Sequence, residues 1–529
     1  MTDAAELARA AASALAAAGS AVLFGVPGGG VNLDVIGAAE AAGLRFVLTH
    51  GESAAAIMAG VYAELTGTPG ACVVTRGPGA ASSINGVAQA LLDRQPVIVL
   101  TDTVPARDAS RVPHQRLDQQ ALFAPVTKWS AVLGAGDPAK VMRDALGLAA
   151  AAPPGPVHLD LDPSAVSQSP HPRTQPAASD MAAVNALLAA ARKPAVLLGV
   201  GARHEAAAIR AVLSGTHVPV LQTYKAKGTV ADSAPQAAGL LTGATAEAPV
   251  LRAADIIIAI GLDAVELIPG PWPYPAPVLS LSSWPDISSA IKPAAAAVGP
   301  LRELLAALHP VPDEWDPDFA QRERRRVLDV LCAGPASGTG IPPWEVVAAL
   351  RAVAPAGCVA TVDAGAHMLV AMPLWTTENP GEVLVSSGLA TMGFALPAAI
   401  AAALARPGVR VFCLVGDGGL GMVLAELETV ARLRLPVTIA VFNDSALSLI
   451  KIKQRASGHG GPGAVSYHPT DYAAIAAGCG IPSVRVTRRE QLAAKARASL
   501  DVDGPVLLDV LVDASGYPHV FDAIRGGDR

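Results

Sequence analysis

The run Val415-Gly416-Asp417-Gly418-Gly419 closes one apolar stretch, and Val441-Phe442-Asn443-Asp444 closes the next, so two aspartates stand 27 residues apart at matching points. Between them Met422 to Leu435 is patterned as an amphipathic helix, and Pro436 opens the second stretch. Strand, turn, helix, strand is a βαβ unit. It puts Asp417 and Asp444 at the carboxyl ends of parallel strands, where open α/β sheets receive ligands. Two hard oxygen ligands beside a glycine turn, whose N–H groups face out of a helix start, make a seat for Mg²⁺ and a diphosphate.

A chain of 529 residues is too long for one core and implies roughly three domains of ~150–200 residues. Hydrophobic residues make up 51% and charged residues 16%, which fits a large, well-buried α/β protein and excludes disorder. A net charge of −6 offers no footprint for nucleic acid and no polybasic membrane patch. Five dispersed cysteines without a C-x-x-C pair read as buried free thiols in a reducing, cytoplasmic compartment. Asp3 and Glu6 stand where a secretory leader would be basic. Val383 to Ala405 carries no charge and is long enough for a membrane span, but its glycines, serines and Pro397 read as a short strand, a turn and a buried helix.

The fold class expected is α/β, with three domains of parallel sheets flanked by helices. In the first third, strands are expected at Ala21–Val26, Phe46–Thr49, Ala71–Thr75 and Val97–Thr101, alternating with alanine-rich helices. This domain spans 1–165, and a Ser/Pro/Gln-rich stretch, Ser164 to Pro176, reads as a linker. A distinct central α/β domain spans 185–310. Its Gly199-Val200-Gly201 lacks the third glycine of a dinucleotide fingerprint and reads as a tight turn. The charged run Arg322 to Arg326 reads as a solvated helix face. The last domain, 340–529, ends in Gly504-Pro505-Val506-Leu507-Leu508-Asp509, echoing Gly155-Pro156-Val157-His158-Leu159-Asp160 and suggesting that the first and third domains are alike.

Several further motifs, in their order along the chain, resemble the thiamine-diphosphate enzymes of the acetolactate synthase, benzaldehyde lyase and 2-oxoacid decarboxylase family. They are Leu23 to Gly29, Thr49-His50-Gly51-Glu52, Thr75-Arg76-Gly77-Pro78-Gly79-Ala80, Asp93 to Pro96, Pro125 to Trp129, Gly388 to Pro397 and Gly416-Asp417-Gly418. The resemblance covers nearly the whole chain. It implies that the first domain is of the pyrimidine-binding type and the third of the diphosphate-binding type. It also implies a homodimer or dimer of dimers, with the cofactor held between the first domain of one subunit and the third of another.

The resemblance gives Glu52 the catalytic role of hydrogen-bonding the cofactor's pyrimidine; by pattern alone Glu52 could equally be a first-turn glutamate stabilised by the helix dipole. It places Mg²⁺ on Asp417, Asp444 and the backbone carbonyl of Ala446. The family usually has asparagine where this chain has Asp444, and both side chains offer a hard oxygen at the same reach. Asn443 beside it shapes the turn and is counted among the cofactor-binding residues. Gly365-Ala366-His367 resembles the segment that contacts the diphosphate, with His367 otherwise a polar residue at a helix start. Gly416, Gly418 and Gly419 allow close approach to phosphate. Pro27, Gly28, Gly77, Thr391 and Met392 match positions around the cofactor. Met422 matches the bulky residue that wedges between its two rings, although it also suits the core face of a helix. His114 and Gln115 occupy a place where related enzymes handle substrate, a polar loop being the rival reading. His50 is a weaker candidate.

Such an enzyme acts through a C2 carbanion and an enamine on a small carbonyl substrate. The leading reading is an acetolactate-synthase-like carboligase or decarboxylase of a small 2-oxo acid. The alternatives are a hydroxy-ketone carbon–carbon lyase or acyltransferase and, from another class, a non-catalytic cofactor-binding regulatory subunit. Gly261 to Glu266 lacks the arginines with which synthases of this family hold FAD, so no functional FAD is expected. Leu447, Leu449 and Ile450 could line an acceptor pocket or pack a helix, and Trp272, Tyr274 and Trp284 could roof a channel or pack the core.

Overall fold

A computed structural model describes residues 3–105, 108, 111–165, 179–267, 271–285, 291–336, 339–458 and 461–526. The linker expected over Ser164 to Pro176 lies almost wholly outside the described residues. Three six-stranded parallel sheets carry the chain. The first holds β1 (Val22–Val26), β2 (Arg45–Leu48), β3 (Gly70–Val74), β4 (Val97–Asp102), β5 (Trp129–Val132) and β6 (Val157–Leu161), in the order β2-β1-β3-β4-β6-β5. The second holds β7 (Pro194–Leu198), β8 (Val220–Gln222), β9 (Ala237–Leu240), β10 (Ile256–Ile260), β11 (Val278–Ser282) and β12 (Ala295–Val298), in the order β12-β11-β10-β7-β8-β9. The third holds β13 (Val359–Val362), β14 (Val383–Val385), β15 (Val411–Gly416), β16 (Val437–Asn443), β17 (Ser483–Val486) and β18 (Val506–Leu511), in the order β14-β13-β15-β16-β18-β17.

Counting from its own first strand, the third sheet repeats the order of the first, and the second does not. The matching Gly-Pro-Val segments lead into β6 and β18, which hold the same place in each order. Strands such as Ile256–Ile260, apolar throughout and buried at every position, form because both sheet faces are covered by helices.

The chain divides into two compact units. One comprises Met1–Gln175, Gly388–Gly408 and Met422–Val437, and contains the first sheet. Within it the helix Ala395–Ala405 packs on the helix Glu52–Thr66, both lined by alanines that allow close approach. The stretch Val383 to Ala405 is thus a strand, a turn and a buried helix, and no helix among the described residues is long and apolar enough to cross a membrane.

The other unit comprises Pro176–Ser387, Val409–Gly421 and Thr438–Arg529, and contains the second and third sheets. A buried ion pair, Lys227 Nζ to Asp232 Oδ2 at 2.7 Å, ties them together, because the same carboxylate oxygen accepts the Thr377 N–H at 2.8 Å. Arg324 completes this cluster at 3.7 Å from Asp232 and is only 13% exposed, so the run Arg322 to Arg326 is not wholly a solvated face. The helix Phe319–Cys332 presents Arg322, Arg325 and Arg326 to solvent but turns Arg324 inward. The thiols also depart from expectation: Cys72, Cys358 and Cys413 are buried, whereas Cys332 is exposed and Cys479 half-buried. Trp284 and Tyr274 are buried, and Trp272 packs edge-on against Tyr274, so these aromatics serve as packing.

Candidate active site

In the first unit the helix Glu52–Thr66 begins at Glu52 itself, with Gly51 extended before it. The following run of alanines, Ile57 and Met58 favours helix and is buried from Ala54 to Ala63, which anchors the helix and leaves Glu52 half-buried at its mouth. Gly79 lies against the Glu52 carboxylate. Behind it, Glu426, 2% exposed, accepts the backbone N–H groups of His50 at 2.9 Å and Gly51 at 3.0 Å. Its other oxygen takes the Thr429 hydroxyl at 2.7 Å. The His50 ring turns to the surface, 2.8 Å from Glu428.

Gly77 has a left-handed backbone, φ 64°, and a Cβ there would lie 2.6 Å from the Gln115 carbonyl oxygen, so only glycine fits. Its N–H is accepted by Gln119 Oε1 at 2.9 Å. The Gln119 amide, buried, donates to Thr101 at 3.1 Å, to the Asp102 carbonyl at 2.9 Å and to Asp160 at 2.6 Å. This hub fixes the turn against which the His114–Gln115 loop rests. His114 and Gln115 are both exposed, and Gln115 holds a left-handed φ of 55°. Gly28 donates to Asn32 at 3.1 Å, Asn32 is held by Asp102, and Pro27 beside them is exposed. Gly388 donates to Asp93 at 2.9 Å, Thr391 is buried with its hydroxyl 3.3 Å from Asn85, and Met392 is half-buried. Met422 is 61% exposed. The helix expected from Met422 to Leu435 is broken: Asp417–Met422 and Glu426–Arg432 are separate segments.

In the second unit Asp417 follows β15 and Asp444 follows β16, adjacent strands of one sheet. Asp417, 3% exposed, accepts four hydrogen bonds: Tyr467 hydroxyl and Gly418 N–H, both at 2.7 Å, on Oδ1, and Ser445 N–H at 2.6 Å and Asp444 N–H at 3.1 Å on Oδ2. Burial nevertheless pushes its carboxyl up. Asp444 accepts the Ala446 N–H at 3.2 Å and the Ser448 hydroxyl, and burial pushes it up to about 6, with Asp417 adding repulsion. Asn443 turns inward, donating to Thr470 at 3.0 Å and Asp509 at 2.8 Å, so its amide belongs to the framework. His367, 4% exposed, stacks on Phe442 with ring centroids 5.2 Å apart. One ring nitrogen bonds the Leu414 backbone, while Nε2 is buried with no hydrogen-bond partner among the described residues. Gly419 lies over Asp363, where a Cβ would come 2.9 Å from the carboxylate. Leu449 packs against the core and Ile450 is 46% exposed.

These residues fit a diphosphate and a hard cation. His367 Nε2 is an orphaned buried polar atom beside the Gly365–Ala366 helix start, which is costly unless a partner arrives. No cluster of three or more His, Cys, Asp or Glu side chains is placed for a metal among the described residues. Two desolvated carboxylates at the ends of adjacent strands, Asp417 and Asp444, are hard oxygen donors of the kind that suits a Mg²⁺ ion keeping several waters.

Four supporting residues escaped the sequence. Glu426 and Glu428 look alike on a charged helix, and only folding separates the buried clamp from the surface partner of His50. Gln119, Asp363 and Tyr467 stand in no periodic pattern. The only local hint is Asp363, directly after an apolar strand, as Asp417 is.

Three family models match the chain in order. Residues 5–122 match the thiamine pyrophosphate enzyme N-terminal TPP binding domain, 181–308 the central domain, and 363–510 the C-terminal TPP binding domain. The chain is 31% identical over 522 residues to acetolactate synthase of Bacillus subtilis (strain 168), covering 93% of this chain and 90% of that protein. It is 31% identical to the acetolactate synthase isozyme 2 large subunit of Escherichia coli (strain K12), covering 94% of each. It is 28% identical to a probable acetolactate synthase large subunit of Methanocaldococcus jannaschii, covering 96% of this chain and 92% of that protein. Three matched domains in order, and likeness sustained over almost the full length, make this chain a member of the thiamine pyrophosphate enzymes: a thiamine-diphosphate-dependent enzyme that makes or breaks carbon–carbon bonds.

Proposed function

We propose that this enzyme is an acetolactate-synthase-like carboligase or decarboxylase of a small 2-oxo acid, dependent on Mg²⁺ as well as thiamine diphosphate. One observation carries the metal: two desolvated carboxylates, Asp417 and Asp444, stand at the ends of adjacent strands beside a helix start. The relatives named as acetolactate synthases support the substrate class.

In this reading Asp417, Asp444 and the Ala446 carbonyl hold Mg²⁺, while His367, Ala366, Gly365, Gly416, Gly418 and Gly419 hold the diphosphate. Glu52 holds the pyrimidine, with Thr391, Met392, Gly77, Gly28 and Pro27 around it, and Met422 supports the bent cofactor. Bound there, thiamine diphosphate supplies a carbon nucleophile and an electron sink for decarboxylation. The protein's part is to aim Glu52 at the pyrimidine, to neutralise the diphosphate, and to present Gln115 and His114 to the substrate carbonyl. The domains are 1–165, 185–310 and 340–529. The working form is a homodimer or dimer of dimers, in which Glu52 of one copy serves the cofactor anchored by Asp417 of a second.

Stripping cofactor and metal and adding each back with pyruvate tests this. Release of CO₂ requiring both, with acetolactate identified by mass spectrometry, is the expected result. Cleavage of hydroxy ketones with no turnover of pyruvate or its homologues would overturn it.

A further inference from the structure

The central sheet has the strand order of dinucleotide-binding domains, with β7 and β10 as neighbours where the chain reverses direction across the sheet. At such a switch point a crevice opens at the carboxyl ends of the strands, and a dinucleotide lays its pyrophosphate on the backbone N–H groups of the first turn. Here that turn is Gly199-Val200-Gly201 after β7, and its neighbour is Gly261 to Glu266 after β10.

The seat is taken from within. Glu266 turns its carboxylate into the crevice: Oε2 accepts the Val200 N–H at 2.8 Å and the Asp263 N–H at 3.3 Å, and Oε1 accepts the Thr223 hydroxyl at 2.5 Å. Thr223 follows β8, so one carboxylate ties together the ends of three strands. A Cβ on Gly199 would lie 2.6 Å from Glu266 Oε2. Beside it Trp284, 6% exposed, donates its indole N–H to Asp263 at 2.9 Å, and its ring edge comes within 3.1 Å of a Cβ placed on Gly201. Asp263 is itself fully buried. The turn therefore offers its N–H to an internal carboxylate, an indole covers it, and two acidic side chains stand where a pyrophosphate would bring further negative charge.

We propose that Glu266 is the internal ligand of the central domain: its carboxylate occupies the switch-point seat, Trp284 seals it, and the domain takes neither FAD nor any other adenine dinucleotide. This holds whichever carbonyl compounds the enzyme converts, because no residue of the candidate active site takes part.

The test uses the enzyme loaded with thiamine diphosphate and Mg²⁺. Equilibrium dialysis against FAD, NAD and ADP should leave no nucleotide bound, and near-stoichiometric retention of any of them would overturn the proposal. Amide hydrogen exchange then reads the seat directly. In Glu266→Ala the Val200 amide should exchange about tenfold faster or more than in the wild type, while Glu266→Gln, which keeps an oxygen for Val200, should stay protected. Should the alanine variant not fold, Glu266→Leu provides the same loss of acceptor in similar volume. Unchanged Val200 exchange in a folded variant lacking the acceptor would show that the carboxylate does not hold the turn.

Discussion

Glu426 holds Gly51 by its backbone N–H at 3.0 Å, one residue before the glutamate on which the chemistry is proposed to turn. With the matching bond to His50, it fixes the two peptide units from which Glu52 projects. Removing the carboxylate leaves two backbone donors without their acceptor, at a cost of about 1–3 kcal/mol for each that stays unpaired. Glu426→Ala is expected to lower unfolding free energy by about 2–4 kcal/mol in urea titration and to reduce kcat more than KM. Glu426→Gln, whose oxygen still accepts from both, should recover most of each loss. Equal turnover by the alanine variant and the wild type would remove Glu426 from any positioning role.

Tyr467 closes the set of four donors on Asp417, and it is the only side chain among them. A carboxylate has about four lone-pair sites, so a cation at Asp417 requires one donor to leave, and the tyrosine hydroxyl is the one that can rotate away. Tyr467→Phe should therefore bind the divalent ion about three- to tenfold more tightly, the worth of one such hydrogen bond. Mn²⁺ titration followed by electron paramagnetic resonance reads this without turnover, and weaker binding by the variant would contradict it.

The parallel sheets were legible because their strands are apolar over whole runs, and the likeness of the first and third domains because a short segment repeats at corresponding strands. Asp417 and Asp444 were legible because glycine and asparagine punctuate the ends of β15 and β16. What could not be read was long-range: Glu426 acts on residues 375 and 376 positions away, and nothing in its own helix distinguishes it from Glu428. The inward turn of Arg324 is hidden from the sequence for the same reason, since its partner Asp232 lies in a different part of the chain. The single helix expected from Met422 to Leu435 is interrupted by a turn over Val423 to Ala425, residues whose composition is compatible with helix and so gives no sign of the break.

Glu52→Gln separates binding from activation. The side chain is half-buried and close in shape to glutamine, so unfolding free energy should change by less than about 1 kcal/mol. Cofactor and Mg²⁺ uptake should persist, whereas exchange of the cofactor's C2 proton, followed by NMR, should slow by about 100-fold or more. Exchange at the wild-type rate would dismiss the assigned role.

Asp160 lends the first domain a pH dependence of unusual sign. Burial pushes its carboxyl up to about 7, with Asp162 and Asp118 adding repulsion, despite hydrogen bonds from Thr101 and Gln119 that lower it. His158 approaches within 3.6 Å, but burial drives that ring down to about 3, so the contact is not an ion pair; its nitrogens sit 2.7 Å from the Thr101 and Ser130 hydroxyls instead. A carboxyl whose folded value is raised stabilises the fold below its unfolded value of about 4 and loses that contribution as pH climbs toward 7. Wild-type stability should fall by about 2–4 kcal/mol from this group between pH 4 and 8, while Asp160→Asn should lack that fall. The protonation of His158 is common to both proteins and cancels in the difference. Urea unfolding of the pair at pH 5 and pH 8 should show the asparagine variant gaining on the wild type at the higher pH. Parallel curves would mean that Asp160 is ionised in the folded protein throughout, and that the Gln119 hub beneath Gly77 holds a full charge.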